Sequence, residues 1–189
     1  MLIEFAALKT RLAARTPRTD ETPGVLETSV ALILTPGAFG LEALFIRRAA
    51  RADDPWSGHI ALPGGRREPG DDDLLATAVR ETMEEVGVAL PASALLGALD
   101  DLAPSTPRLP PLVIRPYAFG LEARPDARVG DEVAETMWLP LAELPACAGK
   151  TSVPIGGVPV EVPCFNRGGV VIWGLTYRIL IGFLPLALG

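Results

Sequence analysis

At 189 residues, with 49% hydrophobic and 21% charged side chains, the chain suits one folded domain with a core of its own, which excludes a disordered class. A net charge of −6 excludes a general nucleic-acid binder, which needs a basic face to neutralise phosphates. An acidic site can still meet anionic substrates where bound cations reverse the local field.

The first apolar positions, Leu2, Phe5, Leu8 and Leu12, have helical spacing, so residues 1–27 read as an N-terminal helix and a Pro/Thr-rich linker. Glu4 and the mixed polarity of this stretch do not describe a signal peptide. Thr28–Leu34 and Leu41–Arg47 are predicted strands of a hairpin, turning through Thr35 to Gly40. After a polar, irregular stretch, Ile60-Ala61-Leu62 is a short apolar strand running into Pro63-Gly64-Gly65. A helix is expected over 72–86, started by a run of Asp residues that suit the positive end of its dipole and stopped at Gly87.

Downstream, Leu95–Leu99, Leu112–Leu121 and Glu132–Leu139 read as strands, and Val158–Val162 pairs with a neighbour across Gly156-Gly157. The strongly apolar 170–188 carries Arg178 at its middle together with Gly174, Gly182 and Pro185, so it is expected as a buried C-terminal helix and not a membrane span. The elements do not alternate regularly. An α+β fold, a sheet packed between helices, is the architecture expected of one continuous domain over 1–189. The two cysteines, Cys147 and Cys164, and the single histidine, His59, make no zinc cluster. Free thiols in a reducing cytoplasm are the plain reading.

The segment most informative about chemistry runs from Gly65 to Val88. On the predicted helix, Glu81, Glu84 and Glu85 stand at i, i+3 and i+4 and project from one side, while Leu75, Val79, Met83 and Val86 form an apolar face. Three like charges so close weaken a helix unless something compensates, and a hard divalent cation does so economically. A solvated acidic face, with Arg80 simply pairing Glu84, is the bland alternative.

This segment resembles the Nudix box: Gly, five residues, Glu, seven residues, Arg-Glu, an apolar residue, any residue, Glu-Glu, any residue, Gly and an apolar residue. Arg80-Glu81, Glu84-Glu85, Gly87 and Val88 match its second half position by position. Five fixed identities at these spacings arise by chance in about one chain in 10⁴ of this length. Three departures are visible: Asp72 stands for the first Glu, six residues separate it from Gly65, and Thr82 replaces an apolar residue. The resemblance implies an α/β/α sandwich with a mixed central sheet and a catalytic loop-helix over 65–88. It implies Mg²⁺ or Mn²⁺ held by Glu81, Glu85, Glu84 and the backbone carbonyl of Gly64, and it makes these glutamates the catalytic group. Asp72 and Arg80 would be the ion pair bracing loop and helix. The general base is open: Glu84 or Glu85 within the box, or Asp100, Asp101, Glu122, Glu132 or Glu135 outside it.

Leu44-Phe45-Ile46-Arg47-Arg48-Ala49 with Gly58-His59-Ile60-Ala61-Leu62-Pro63-Gly64-Gly65, and Ile172-Trp173-Gly174-Leu175-Thr176 near the end, are similar to the coenzyme A pyrophosphatase branch. That likeness implies hydrolysis of coenzyme A or acyl-coenzyme A to 3′,5′-ADP and 4′-phosphopantetheine. ADP-ribose, NADH or a dinucleotide is the alternative substrate, and a nucleotide-sensing domain without catalysis a lesser one, which the presence of all three glutamates opposes. The branch carries an Arg about four residues before Gly58, where Asp53-Asp54 stand here, so weak discrimination between coenzyme A and its 3′-dephospho form is expected. Arg47, Arg48 and His59 are candidate substrate contacts, although strand-end arginines are commonly just solvated. Trp56 could stack on a base, whereas Trp138 and Trp173 read as core. The partners expected are a small nucleotide, with neither nucleic acid nor membrane, and a homodimer stays open.

Overall fold

The computed structural model describes residues 2–51, 56–104 and 111–189. Helix α1 (Leu2–Ala13) leads into strands β1 (Leu26–Gly37) and β2 (Gly40–Arg48). These form the expected hairpin, but it is longer and tighter: Thr35 and Pro36 still pair with Glu42 and Leu41, and only Ala38-Phe39 turn. Gly40, at φ 101°, supplies the left-handed backbone that so short a turn demands. Strands β3 (Ile60–Ala61) and β4 (Gly64–Arg66) precede helix α2 (Leu74–Val86), and β5 (Leu95–Ala98), β6 (Leu112–Gly120) and β7 (Val133–Pro140) follow.

Among the described residues these seven strands make one sheet in the order β3-β2-β1-β6-β5, with β4 added to β1 and β7 to β2. The β1/β6 pair is parallel and the others antiparallel, so the sheet is mixed, as expected. Alternation along β1 sorts its side chains between two layers. Ala31 and Ile33 pack with Ala78 and Val86 of α2 on one face. Leu32 and Leu34 pack on the other with Leu8 and Leu12 of α1 and Leu180 and Phe183 of the C-terminal helix α3 (Gly174–Leu188). The result is the α/β/α sandwich.

Two expectations need correction. The apolar 170–188 is not one helix, because Val170–Trp173 is a strand, β10, and α3 begins only at Gly174. The β-branched run Val170-Val171-Ile172 favours a strand, and Gly168-Gly169, both with positive φ, fold it back on β9 (Val158–Arg167). With β8 (Ala148–Ile155), these strands form a second, antiparallel sheet, β10-β9-β8. On α2, Met83 is 47% exposed, while Thr77, Ala78 and Thr82 are buried. Thr82 replaces an apolar residue at little cost because its hydroxyl donates to the Ala78 carbonyl at 2.7 Å.

No helix of the described residues is long and apolar enough to cross a membrane. Cys147 and Cys164 are free thiols.

Candidate active site

β1 is paired with β2 only from Leu34 to Gly37; its outer half pairs instead with β4 and β6. At this divergence lies a cleft of about 1390 Å³. One wall carries the sheet-end of α2 and the loop before it, with Gly64, Gly65, Glu81, Glu84 and Glu85; the other carries β10 and the start of α3.

The two glycines are constrained differently. Gly64 has φ +151°, and a Cβ on it would strike the Ser29 carbonyl and Val30. A Cβ on Gly65 would fall on the Glu81 carboxyl group. The family resemblance implied a role for the Gly64 carbonyl; in the structure the Gly64 N–H donates to Glu85 Oε2 at 2.8 Å. Glu85 is 5% exposed, and burial pushes its carboxyl up to about 7. The Gly64 N–H and the charge of Arg48 oppose that rise, whereas the charges of Glu81 and Glu132 add to it. Glu81 is raised by burial too, despite Arg80 beside it. Glu84 is mostly in water, with 59% of its side chain exposed.

Helix α2 holds these groups firmly. Asp73 caps it, its Oδ1 accepting from the Ala76 N–H at 2.8 Å. Gly87, left-handed at φ 64°, ends it with its N–H on the Met83 carbonyl. Arg80 fastens the loop to the helix, but its partner is Asp71 and not Asp72. The guanidinium donates from Nε and Nη2 to the two Asp71 oxygens, both at 2.9 Å. Asp71 also accepts from the Glu68 N–H and the Thr77 hydroxyl. The Arg80 hydrogen bonds hold its carboxyl well below the usual carboxylate range. Asp72 is exposed and offers its backbone carbonyl to Arg67. Five residues separate Gly65 from Asp71, so the extra residue falls between Asp71 and Arg80, where the helix N-terminus absorbs it.

The remaining candidates divide clearly. Arg47 is not in the cleft; it crosses to Glu135 on β7 at 2.5 Å. Arg48 and His59 do line the cleft. The His59 ring meets Trp173 edge-on, with centroids 4.7 Å apart, so Trp173 is a wall of the cleft as well as a packing residue, contrary to its reading as core. Trp56 lines the opening, whereas Trp138 lies outside under the Arg124 guanidinium. Among the base candidates outside the box, Asp100 is bound by Arg15 and Arg18, Asp101 by Arg115, and Glu122 is exposed outside the cleft. Only Glu132 lines the cleft, tethered by Arg51 at 3.0 Å. Asp53-Asp54 lie outside the described residues.

Could these residues hold a divalent cation? Among the described residues no three ligating side chains are already drawn into a cage. Even so, Glu81 and Glu85 share a wall with Glu84, and the three offer hard oxygen donors whose full ionisation would exceed the charge of Arg80 and Arg48. That donor set fits Mg²⁺ or Mn²⁺.

Fold and site together define a domain built to present glutamates from a loop-helix to an open cleft. A family model of the NUDIX domain matches residues 26–155, and the chain belongs to that family. It is 32% identical over 170 residues to the mitochondrial coenzyme A diphosphatase NUDT8 of Homo sapiens, covering 87% of this chain and 70% of that protein. An uncharacterized protein of Schizosaccharomyces pombe is 38% identical over 117 residues, 58% of this chain and only 36% of that longer protein. In fold, the chain is similar to a MutT/nudix family protein from Enterococcus faecalis, with TM-score 0.58, 20% identity, and coverage of 97% of this chain and 67% of that one.

Proposed function

We propose that the chain hydrolyses the pyrophosphate of a nucleoside diphosphate linked to a second group, with coenzyme A or an acyl derivative as the preferred substrate and Mg²⁺ or Mn²⁺ as cofactor. The observation that carries this is the Glu81–Glu85 pair on the wall of a wide cleft, Glu85 buried and Glu81 half-buried, both raised by burial. The likeness to NUDT8 over 87% of the chain supports the coenzyme A reading.

Glu81 and Glu85, with Glu84 beside them and the Gly64 backbone, are the proposed ligands. A bound cation would neutralise charge on the pyrophosphate and lower the pKa of an attacking water. The Gly64 N–H fixes the Glu85 carboxylate, and the Asp71–Arg80 pair fixes the loop that follows β4, the strand on which Gly65 lies. Glu132 is the favoured base outside the box, because it reaches the cleft while the others are bound elsewhere or lie outside it. Arg48 and His59 border the same space and are placed to meet substrate. In phosphoryl chemistry, positioning and charge stabilisation of this kind carry most of the acceleration. The free thiols support a reducing compartment such as the cytoplasm.

The test is turnover of coenzyme A, acetyl-coenzyme A, ADP-ribose, NADH, diadenosine polyphosphates and nucleoside triphosphates with Mg²⁺ or Mn²⁺, products identified by mass spectrometry. Release of 4′-phosphopantetheine and 3′,5′-ADP is expected. Cleavage confined to ADP-ribose, NADH or a dinucleotide would replace the coenzyme A assignment with that alternative.

A further inference from the structure

Arg178 interrupts the apolar C-terminal segment at the middle of its length. Its surroundings on α3 give it nothing to pair with: Gly174, Leu175, Ile181 and Gly182 occupy the positions three and four residues away. It is exposed and among the described residues makes no hydrogen bond or ion pair; of the other cleft arginines, Arg80 is bound to carboxylates, and Arg66, on the β4 side, has no side-chain bond either. Yet Arg178 lines the cleft.

Its side of the cleft matters. Helix α3 packs on the face of the sheet that carries Leu32 and Leu34, and α2 packs on the opposite face. The glutamates and Arg80 therefore belong to one wall, and Arg178 stands on the other among Leu175, Ile179 and Trp173. A pyrophosphate held at the glutamates leaves Arg178 for a different part of the same substrate. Among the described cleft residues of β8, β10 and α3 it is the sole cation, so an anionic group reaching that wall has one partner of opposite charge. The family match covers residues 26–155, and helix α3 with Arg178 lies beyond it.

Resting on the coenzyme A reading above, we infer that Arg178 is a specificity-determining residue that binds a second phosphate of the substrate, the ribose 3′-phosphomonoester, across the cleft from the scissile pyrophosphate. Weak discrimination was expected because an acidic pair stands where the loop cation belongs. Arg178 supplies that cation from another element, and the expectation changes accordingly. A charged hydrogen-bonded contact of this kind is worth roughly a ten- to hundredfold preference.

The experiment measures kcat/KM for coenzyme A and 3′-dephospho-coenzyme A with Mg²⁺, in the unaltered chain, Arg178→Ala and Arg178→Lys, with melting curves for each. The unaltered chain should prefer coenzyme A by about ten- to hundredfold. Arg178→Ala should bring the ratio near one, and Arg178→Lys should keep part of it, since an ammonium retains the charge but not the planar fork. No preference in the unaltered chain, or an undiminished ratio in Arg178→Ala, overturns the Arg178 assignment alone. Turnover of neither compound, with cleavage of ADP-ribose, overturns the coenzyme A reading itself.

Discussion

The loop-helix holds two sets of carboxylates in opposite electrical circumstances. Asp71 accepts two hydrogen bonds from Arg80, one from a hydroxyl and one from a backbone N–H, and is held well below its ordinary range. Glu85, on the same helix as Arg80, is buried, accepts a hydrogen bond from the Gly64 N–H, and is pushed up to about 7. The first carboxylate is satisfied by the protein; the second is left wanting positive charge. The contrast separates a bracing group from a proposed ligand without appeal to motif order, because only an incompletely satisfied buried anion gains much from a cation.

The largest expected effect breaks the comparison from the Glu85 side. Glu85→Gln should lower kcat by about 10³ at saturating Mg²⁺, or about 4 kcal/mol in the transition state, with Glu81→Gln somewhat milder. Retention of more than a tenth of the activity in either variant would remove that ligand from the proposal. The same Glu85→Gln change should leave the metal-free protein at pH 8 melting at least as high as the unaltered chain. A carboxyl held neutral up to about 7 weighs against folding as the pH rises, because the unfolded chain gives up its proton first. A lower melting temperature would mean that Glu85 is a structural brace after all.

Asp71→Asn should do the reverse, destabilising the metal-free protein by about 3 kcal/mol, while Asp72→Asn changes its melting by under about 0.5 kcal/mol. Equal effects in urea unfolding would return the ion pair to Asp72. The Asp71 contribution also has a pH signature. Its pKa is depressed in the folded state, so the stabilisation is fully present above the ordinary carboxylate range and fades as the pH falls below about 4. Unfolding free energies of the unaltered chain and Asp71→Asn should therefore converge in acid.

A smaller effect is expected at Glu132, where replacement by Gln should cost about 10² in kcat if it serves as the base. A pH–rate profile that keeps its acidic limb in Glu132→Gln would exclude it. Least of all should be seen in Arg47→Ala. Bound to Glu135 outside the cleft, it should change kcat/KM by less than about twofold, and a larger loss would put it back on the substrate.

How much of this the sequence disclosed depended on the range of the interactions involved. The α2 carboxylates were legible because i, i+3, i+4 spacing is a local property of a helix. The hairpin and the helix cap at Gly87 were legible for the same reason, whereas the mixed sheet between helices was implied by the family resemblance. The Asp71–Arg80 pair was misplaced by one residue, because counting along a loop cannot tell which of three consecutive Asp side chains turns inward. Asp71 alone is the one that also reaches the Thr77 hydroxyl. The strand at 170–173 was hidden within a uniformly apolar run, and the Gly168-Gly169 turn was its available signal. Arg178 and Trp173 could not be assigned to the cleft at all, since that depends on packing between segments distant in sequence.

Gly65 carries a consequence for how this site can be lost. A methyl group there would occupy the space of the Glu81 carboxyl while leaving every acidic residue in the chain intact. A relative bearing alanine at that position would still display all of its glutamates to a motif search and yet hold one of them turned aside. Descendants of such a site could drift from hydrolysis to mere nucleotide retention through a single small substitution, with the acidic signature surviving as a fossil of the lost chemistry.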